Sequence, residues 1–125
     1  MTSASEDRFQ RRQALLERTY LAFNVRDLDG ALAAMHPAVI WPNGMEGGVV
    51  RGHEGIRQYW TRQWTMIDPQ VDPVGFRKDP DGRVAVRVHQ VIRNLTGQVL
   101  MDRIVEHVYA FKGELIDAME IRDAP

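Results

Sequence analysis

The chain has 125 residues, enough for one hydrophobic core, and its 44% hydrophobic content is typical of a globular protein. Sixteen basic and 17 acidic side chains are well mixed and give a net charge of −1. This balance argues against nucleic-acid or anionic-membrane partners, which require a basic excess on one face. The absence of cysteine excludes disulfides and thiolate catalysis and favours the cytoplasm. We therefore expect a single domain over residues 1–125, located in the cytoplasm.

The first part of the chain has the spacing of helices. Ser5 is the predicted N-cap of the first helix, because two acidic residues follow it where the helix dipole favours them. A second, short helix should start at Asp27 or Asp29 and end before Pro37. The inward stripe of the first helix recurs at intervals of three and four and consists of Phe9, Gln13, Leu16, Tyr20 and Phe23.

A short strand and a third helix come next. The strand is predicted over residues 39–41, and it ends at Trp41 because a Pro-Asn-Gly turn follows. Residues 52–55 should open the third helix. One face of that helix carries Ile56, Trp60, Trp64 and Ile67, while arginines occupy the other.

After Pro69 the pattern changes to alternating strands. Strands are predicted over residues 71–78, 83–95, 98–111 and 114–122, separated by turns at 79–82, 96–97 and 112–113. Helices first and a meander second indicate an α+β fold, in which the helices cover one face of a curved antiparallel sheet.

Centring each turn predicts which residues share a face. The first hairpin should pair Ile92 with Met101, Gln90 with Arg103, Val88 with Val105, Val86 with His107 and Val84 with Tyr109. The second should pair Tyr109 with Ile116, His107 with Ala118, Val105 with Glu120 and Arg103 with Arg122. These residues form the more apolar face, which should meet the helices. Its polar members are Gln90, Arg103, His107, Tyr109, Glu120 and Arg122.

The opposite face mixes charge with apolar surface, which suits a subunit interface. Arg87 faces Glu106 there, and the other members are His89, Arg93, Asp102, Ile104, Val108, Asp117, Met119 and Ile121. We expect a homodimer through this outer face. A one-residue bulge would exchange the two faces.

The order of these elements resembles a known family. The segments "NVRDLDGALAAMHPAVIW", "GHEGIRQYW" and "GELIDAMEIRD", in this sequence of helices and strands, resemble the SnoaL-like, steroid-isomerase-related branch of the nuclear transport factor 2 superfamily. The resemblance implies a cone of curved sheet and three helices around a deep cavity, in dimers that pair across the outer sheet face. The family includes isomerases, polyketide cyclases, hydrolases, dehydratases and non-catalytic binding modules.

The catalytic positions of the steroid isomerases are mostly not kept. The resemblance places Trp41 at the position of the carboxylate base, and indole cannot abstract a proton. The helix-1 tyrosine falls on Thr19, with Tyr20 one residue later, and the acid falls near Glu106. Steroid isomerisation is therefore not predicted, and Trp41 is expected to form a wall of the cavity.

Other residues could still support catalysis. Glu120 lies diagonal to Arg103 and His107 in the predicted pairing, so a Glu–His pair beside an arginine could act as a general base. Tyr109 could donate to an oxyanion. The alternative is a purely structural network. The predicted ligand-binding residues are Tyr20, Phe23, Trp41, Trp60, Trp64 and Gln90, although core packing would also explain the tryptophans.

Three functions remain open from the sequence. The chain binds a small hydrophobic molecule, or it is an isomerase, lyase or hydrolase acting on such a molecule, or it is a protein-interaction module. An epoxide hydrolase would need an inward aspartate, and none is evident. We predict no cofactor and no metal site, because the four histidines are scattered and the glycine-rich segment 44–48 lacks phosphate-loop spacing.

Overall fold

The computed structural model describes residues 3–124, which form a six-stranded mixed sheet and three helices. The predicted α+β fold is confirmed. In chain order the elements are α1 (Ala4–Asn24), α2 (Leu28–Leu32), β1 (Met35–Pro42), β2 (Val49–Arg51), α3 (Gly52–Trp64), β3 (Asp68–Lys78), β4 (Val84–Arg93), β5 (Val99–Lys112) and β6 (Leu115–Asp123).

The helix starts follow from side-chain caps. Ser3, not the predicted Ser5, caps α1, and its hydroxyl accepts a hydrogen bond from the Glu6 N–H at 3.1 Å. Asp27 caps α2 in the same way by accepting from the Gly30 N–H at 3.0 Å. The first helix therefore begins earlier than the acidic pair alone suggested.

The sheet extends further than the alternating pattern indicated. Its strand order is β2-β1-β6-β5-β4-β3, and only β1 and β6 run parallel among the described pairs. Strand β1 is longer than predicted, and β2 was missed because it is only three residues long. Gly52 links β2 to α3 with a φ of 74°, a conformation that favours glycine.

The first predicted hairpin is confirmed. All five predicted pairs between β4 and β5 occur, from Ile92 with Met101 to Val84 with Tyr109. This pairing puts Val84, Val86 and Val88 on the inner face, where they are buried in the core beneath the helices. The predicted register of the β4–β5 pair is correct because the alternation of β4 is strict and one face is strongly apolar.

The second predicted hairpin is wrong. Its turn is centred one residue later, so Lys112 pairs with Leu115. This shift moves each β5 residue to a partner two positions further along β6, so the side chains stay on the predicted faces. Asp117 is then the extra residue of a β-bulge, since Phe111 pairs with Ile116 but Ala110 pairs with Ala118. Beyond the bulge the faces are exchanged: Met119 and Ile121 turn inward, whereas Glu120 and Arg122 turn outward.

The core lies between the helices and the inner sheet face. Among its fully buried side chains are Leu16 of α1, Ile56 of α3, and Val39, Ile116 and Tyr109 of the sheet. Within residues 3–124, no helix combines the length and the apolar character needed to cross a membrane.

Candidate functional site

A cavity of about 170 Å³ opens between the helices and the inner sheet face. Helices α1 and α3 form one side, strands β4, β5 and β6 form the other, and the segment after β1 forms the rim. Its lining consists of Thr19, Tyr20, Phe23, Trp41, Pro42, Gly44, Met45, Tyr59, Trp60, Gln63, Ile67, Pro69, Val71, Gln90, Ile92, Met101, Arg103, His107, Tyr109, Met119 and Ile121.

Aromatic rings make up one wall of the cavity. Trp41 meets Trp60 edge to face with ring centroids 5.5 Å apart, and Phe23 meets Trp60 at 5.0 Å. Trp41 is 8% exposed and also contacts Tyr109 at 6.1 Å. The residue that stands where the steroid isomerases keep a base is thus an apolar wall.

Trp64 does not line the cavity, contrary to the prediction. The helical spacing of α3 places it beside Trp60, but its ring packs behind Phe23 and beneath the guanidinium of Arg26. Its Nε1 is the only fully buried side-chain nitrogen or oxygen without a partner in residues 3–124. Trp64 therefore supports the aromatic wall from outside.

Three polar side chains form a continuous hydrogen-bonded chain at the inner end of the cavity. The Tyr109 hydroxyl donates to the Tyr20 oxygen at 2.7 Å. The Tyr20 hydroxyl lies 2.8 Å from Nδ1 of His107. All three residues are buried. We call them the Tyr–His–Tyr chain after their residue types; Tyr20 is its middle member, and Tyr109 and His107 are its two ends.

Burial keeps every member of the Tyr–His–Tyr chain neutral. Burial, and secondarily the charge of Arg103, lowers the pKa of His107 from 6.5 to about 4. Burial likewise raises the pKa of Tyr20 and of Tyr109. With the Tyr109 proton donated to the Tyr20 oxygen, the proton of Tyr20 is available to Nδ1 of His107, and in that tautomer the neutral imidazole carries its proton on Nε2.

Arg103 and Gln90 form a polar rim on the inner sheet face. Nε of Arg103 donates to the Gln90 side-chain oxygen at 2.8 Å across the β4–β5 pair. Arg103 is exposed and is the only charged residue in the described lining of the cavity. An anionic group at the rim would therefore meet a single positive charge.

The prediction that Glu120 is a catalytic residue is wrong. The bulge at Asp117 turns Glu120 to the outer face, where its carboxylate lies 2.9 Å from a nitrogen of Arg83 and its side chain is 56% exposed. It contacts neither Arg103 nor His107, so the predicted Glu–His pair does not form. Arg122 leaves the inner face for the same reason.

Several cavity residues were missed by the sequence reasoning, and four of them show why. Met119 and Ile121 were assigned to the outer face, and only the bulge reverses them. Tyr59 and Gln63 lie on α3 next to the predicted stripe, at the spacing of four that places both on one side of the helix. The Tyr59 hydroxyl accepts from the Gly44 N–H at 3.0 Å, which fastens the rim segment to α3.

The outer sheet face carries an ion cluster made of Arg77, Asp79, Glu106 and Arg122. Glu106 accepts from Arg77 at 2.9 Å and from Arg122 at 2.6 Å, and Asp79 also accepts from both arginines. Hydrogen bonds from Arg122 and Arg77 lower the pKa of Asp79. Burial opposes ionisation of Glu106, but the same two arginines prevail and lower its pKa.

The described residues offer no cluster of three or more histidine, aspartate or glutamate side chains that could hold a metal ion. The cavity lining offers aromatic walls, neutral hydrogen-bonding groups at the inner end, and one described cation at the rim. Such a cavity suits a largely apolar molecule with a few oxygen atoms.

Comparison with known proteins gives a family match over most of the chain. The model of the SnoaL-like domain matches residues 16–119. No curated protein matches the sequence significantly.

Solved structures with the same architecture agree with this match. TerC, co-crystallised with polyporic acid, is 26% identical, with a TM-score of 0.79 over 91% of this chain and 92% of that one. An NTF2-like protein of unknown function from Burkholderia pseudomallei is also 26% identical, with a TM-score of 0.78 over 91% of each chain. A Mycobacterium tuberculosis protein in complex with estradiol-17β-hemisuccinate shares the fold at 15% identity, with a TM-score of 0.75 over 91% of this chain and 94% of that one.

Proposed function

The chain belongs to the SnoaL-like domain family, and from this premise we propose that it binds a small aromatic molecule with an acidic or oxygen-bearing group. The ligand's rings lie against Trp41, Trp60 and Phe23. Its oxygen atoms meet the Tyr–His–Tyr chain at the inner end, and an acidic group meets Arg103 at the rim.

The observation that carries this proposal is the composition of the cavity wall. Aromatic side chains provide large apolar area with a fixed geometry, so they favour a flat ring system over a flexible chain. The buried groups at the inner end are neutral and select uncharged oxygen atoms, because a charge there would lose its hydration without a counter-ion. Among the described residues that line the cavity, the one cation is Arg103, which is exposed at the rim.

The co-crystal structure of TerC supports a ligand with an acidic group. That protein was co-crystallised with polyporic acid, and it shares 26% identity with this chain over nearly the whole of both. Polyporic acid is therefore a suitable first probe.

Binding is measured by the quenching of tryptophan fluorescence during titration with polyporic acid. Trp41 and Trp60 lie in the wall, so a ligand in the cavity changes their emission directly. We expect saturable quenching, and Arg103→Gln should weaken binding about tenfold, the cost of losing one charge-assisted hydrogen bond.

Arg18→Gln is the matched control, since it removes the same charge from an exposed position on α1 outside the cavity. It should leave the Kd within about twofold, as surface charge changes generally do. Equal weakening of binding by both variants would mean that the change in net charge, and not a contact in the cavity, causes the effect. The absence of saturable quenching would refute binding of this ligand class.

A second proposal concerns assembly: the chain forms a homodimer through the outer sheet face. This face carries both signs of charge in its ion cluster, together with the half-exposed Ile104, so it is complementary to a copy of itself. Because Met119 and Ile121 turn inward, the face is less apolar than the sequence suggested.

Sedimentation equilibrium tests this assembly. We expect about twice 14.3 kDa. Ile104→Glu should yield a monomer, whereas Leu21→Glu, which changes an exposed leucine on α1, should not. A monomeric unmodified protein at micromolar concentration would refute the dimer.

A further inference from the structure

The Tyr–His–Tyr chain has two ends, and both belong to residues that line the cavity. Tyr109 donates its hydroxyl proton to Tyr20 and accepts no hydrogen bond within the described chain, so its oxygen has free lone pairs. Nε2 of His107 also has no partner there. It is not among the fully buried atoms without partners, so it keeps access to the cavity.

From this geometry we infer that the Tyr–His–Tyr chain is a proton relay that catalyses keto–enol tautomerisation of an enolisable aromatic carbonyl compound bound in the cavity. This inference rests on the proposed binding function and adds chemistry to it. The catalytic residues are Tyr109 and His107, which touch the substrate at the two ends. Tyr20 is a positioning residue that passes the proton between them.

In the enol-to-ketone direction, the enol O–H proton passes to the Tyr109 oxygen, and the proton of Tyr109 passes to Tyr20. The proton of Tyr20 passes to Nδ1 of His107, and the Nε2 proton passes to the enol carbon. The C=C electron pair forms the new C–H bond, and the O–H pair closes the C=O bond. Each protein group loses one proton and gains one.

A relay of this kind suits the surroundings of these residues. The three groups are buried and packed against aromatic side chains, and within residues 3–124 Arg103 is the only charged group that lines the cavity with them. An ordinary general base would have to become an imidazolium or a phenolate, which burial disfavours. Concerted transfer avoids both ions. A water molecule in the empty cavity can reset the chain by the same exchange.

The ketonisation of phenylpyruvate enol tests the relay, because the enol and the ketone differ in ultraviolet absorbance. The phenyl ring suits the aromatic wall, the enol suits the relay, and the carboxylate suits Arg103. We expect the protein to accelerate ketonisation over buffer. Tyr20→Phe should lower kcat/KM about 100-fold, the scale of general acid–base catalysis, with the Kd from fluorescence within about threefold.

His89→Gln is the matched control, because it changes a histidine that is half-exposed on the outer face and bound to Asp102. It should leave the rate unchanged. Should Tyr20→Phe fold poorly, Tyr109→Phe interrupts the same relay at its end and is expected to give the same loss.

Two measurements on the unmodified protein distinguish a relay from a structural role. Because no group becomes charged, kcat/KM should be flat from about pH 5 to pH 9, and a slope in this range would show that a titrating group takes part and would overturn the relay. The rate should also be measured in mixtures of light and heavy water. Plotted against the fraction of heavy water, it should fall along a curve and not a straight line, because several protons are transferred in one step.

The outcomes separate the two proposals. Binding of phenylpyruvate without acceleration, or acceleration that Tyr20→Phe leaves intact, would overturn the relay and leave the binding function standing. Binding of neither phenylpyruvate nor polyporic acid would overturn the binding function and the relay with it.

Discussion

Two adjacent residues of strand β5 are both buried and polar, but one is ionised and the other is neutral. Glu106 faces outward, where two arginines keep it ionised, and its pKa lies below the usual range. His107 faces inward, where its described side-chain hydrogen bond is to the Tyr20 hydroxyl, and it stays neutral with a pKa of about 4. Depth alone does not decide charge: the ion cluster supplies counter-ions, while the Tyr–His–Tyr chain supplies hydrogen bonds.

The largest expected effect is a loss of stability in mild acid that depends on His107. Unfolded His107 takes up a proton near pH 6.5, whereas folded His107 does so only near pH 4. Between these values the unfolded state holds more protons, so lowering the pH favours unfolding, by about 3 kcal/mol over the whole interval. Urea unfolding at about pH 7.5 and pH 4.5 measures it.

His107→Gln should remove most of this dependence and leave the contributions of the other histidines. The carboxylates of the ion cluster behave differently, because their folded pKa values are lowered. Their contribution is present above their unfolded pKa near 4 and is lost at still lower pH. An unchanged pH dependence in the variant would contradict the neutral, buried state of His107.

A smaller effect is expected from breaking the ion cluster. Glu106→Leu leaves Arg77 and Arg122 without one of their two carboxylates and should lower the free energy of unfolding by about 2 kcal/mol. The value lies below that of a fully buried pair, since both arginines remain partly exposed to water. Thermal and urea unfolding measure it. Glu106→Gln keeps the side-chain shape and a hydrogen-bond acceptor. A loss of stability as large as that of Glu106→Leu would therefore contradict the assignment of the effect to the lost hydrogen bonds with the arginines.

Interrupting the Tyr–His–Tyr chain should cost less stability than breaking the ion cluster. Tyr20→Phe keeps the ring packing but leaves the Tyr109 hydroxyl and Nδ1 of His107 without their partner. We expect a loss of about 1 kcal/mol, the usual net contribution of a hydrogen bond between neutral groups. A loss above about 3 kcal/mol in urea unfolding would show that the chain is needed for folding and would weaken its assignment to function.

The smallest effect is expected at Glu120. Its ion pair with Arg83 lies at the surface, so Glu120→Gln should change the free energy of unfolding by less than about 0.5 kcal/mol. It should also leave polyporic acid binding unchanged. A change in binding beyond about threefold would place Glu120 back in the cavity and contradict the bulge.

The two hairpins explain how far the sequence could predict the structure. Between β4 and β5 a strict alternation of apolar residues allows a single register, and every predicted pair was right. Between β5 and β6 the inward and outward residues of β6 are both partly apolar, so the pattern could not report the extra residue at Asp117. The residues on β5 were therefore placed correctly, whereas those on β6 beyond the bulge were not.

The candidate site shows the same division. His107, Tyr109, Gln90 and Arg103 reached the cavity side because they lie on the well-predicted hairpin. The contact of Tyr20 with His107 joins residues 87 positions apart, and no local pattern reports such a distance. The sequence named both residues but assigned His107 a carboxylate partner in place of a tyrosine.

The single extra residue at Asp117 reverses the side-chain orientation of the rest of its strand. All the residues that follow it in β6 change sides, although not one letter of the sequence has been altered. An alignment with a relative that lacks this residue would place carboxylates in a cavity that does not contain them. Conversely, deleting Asp117 would bring Glu120 and Arg122 to the inner face, so a single deletion could convert a neutral binding site into an ionic one.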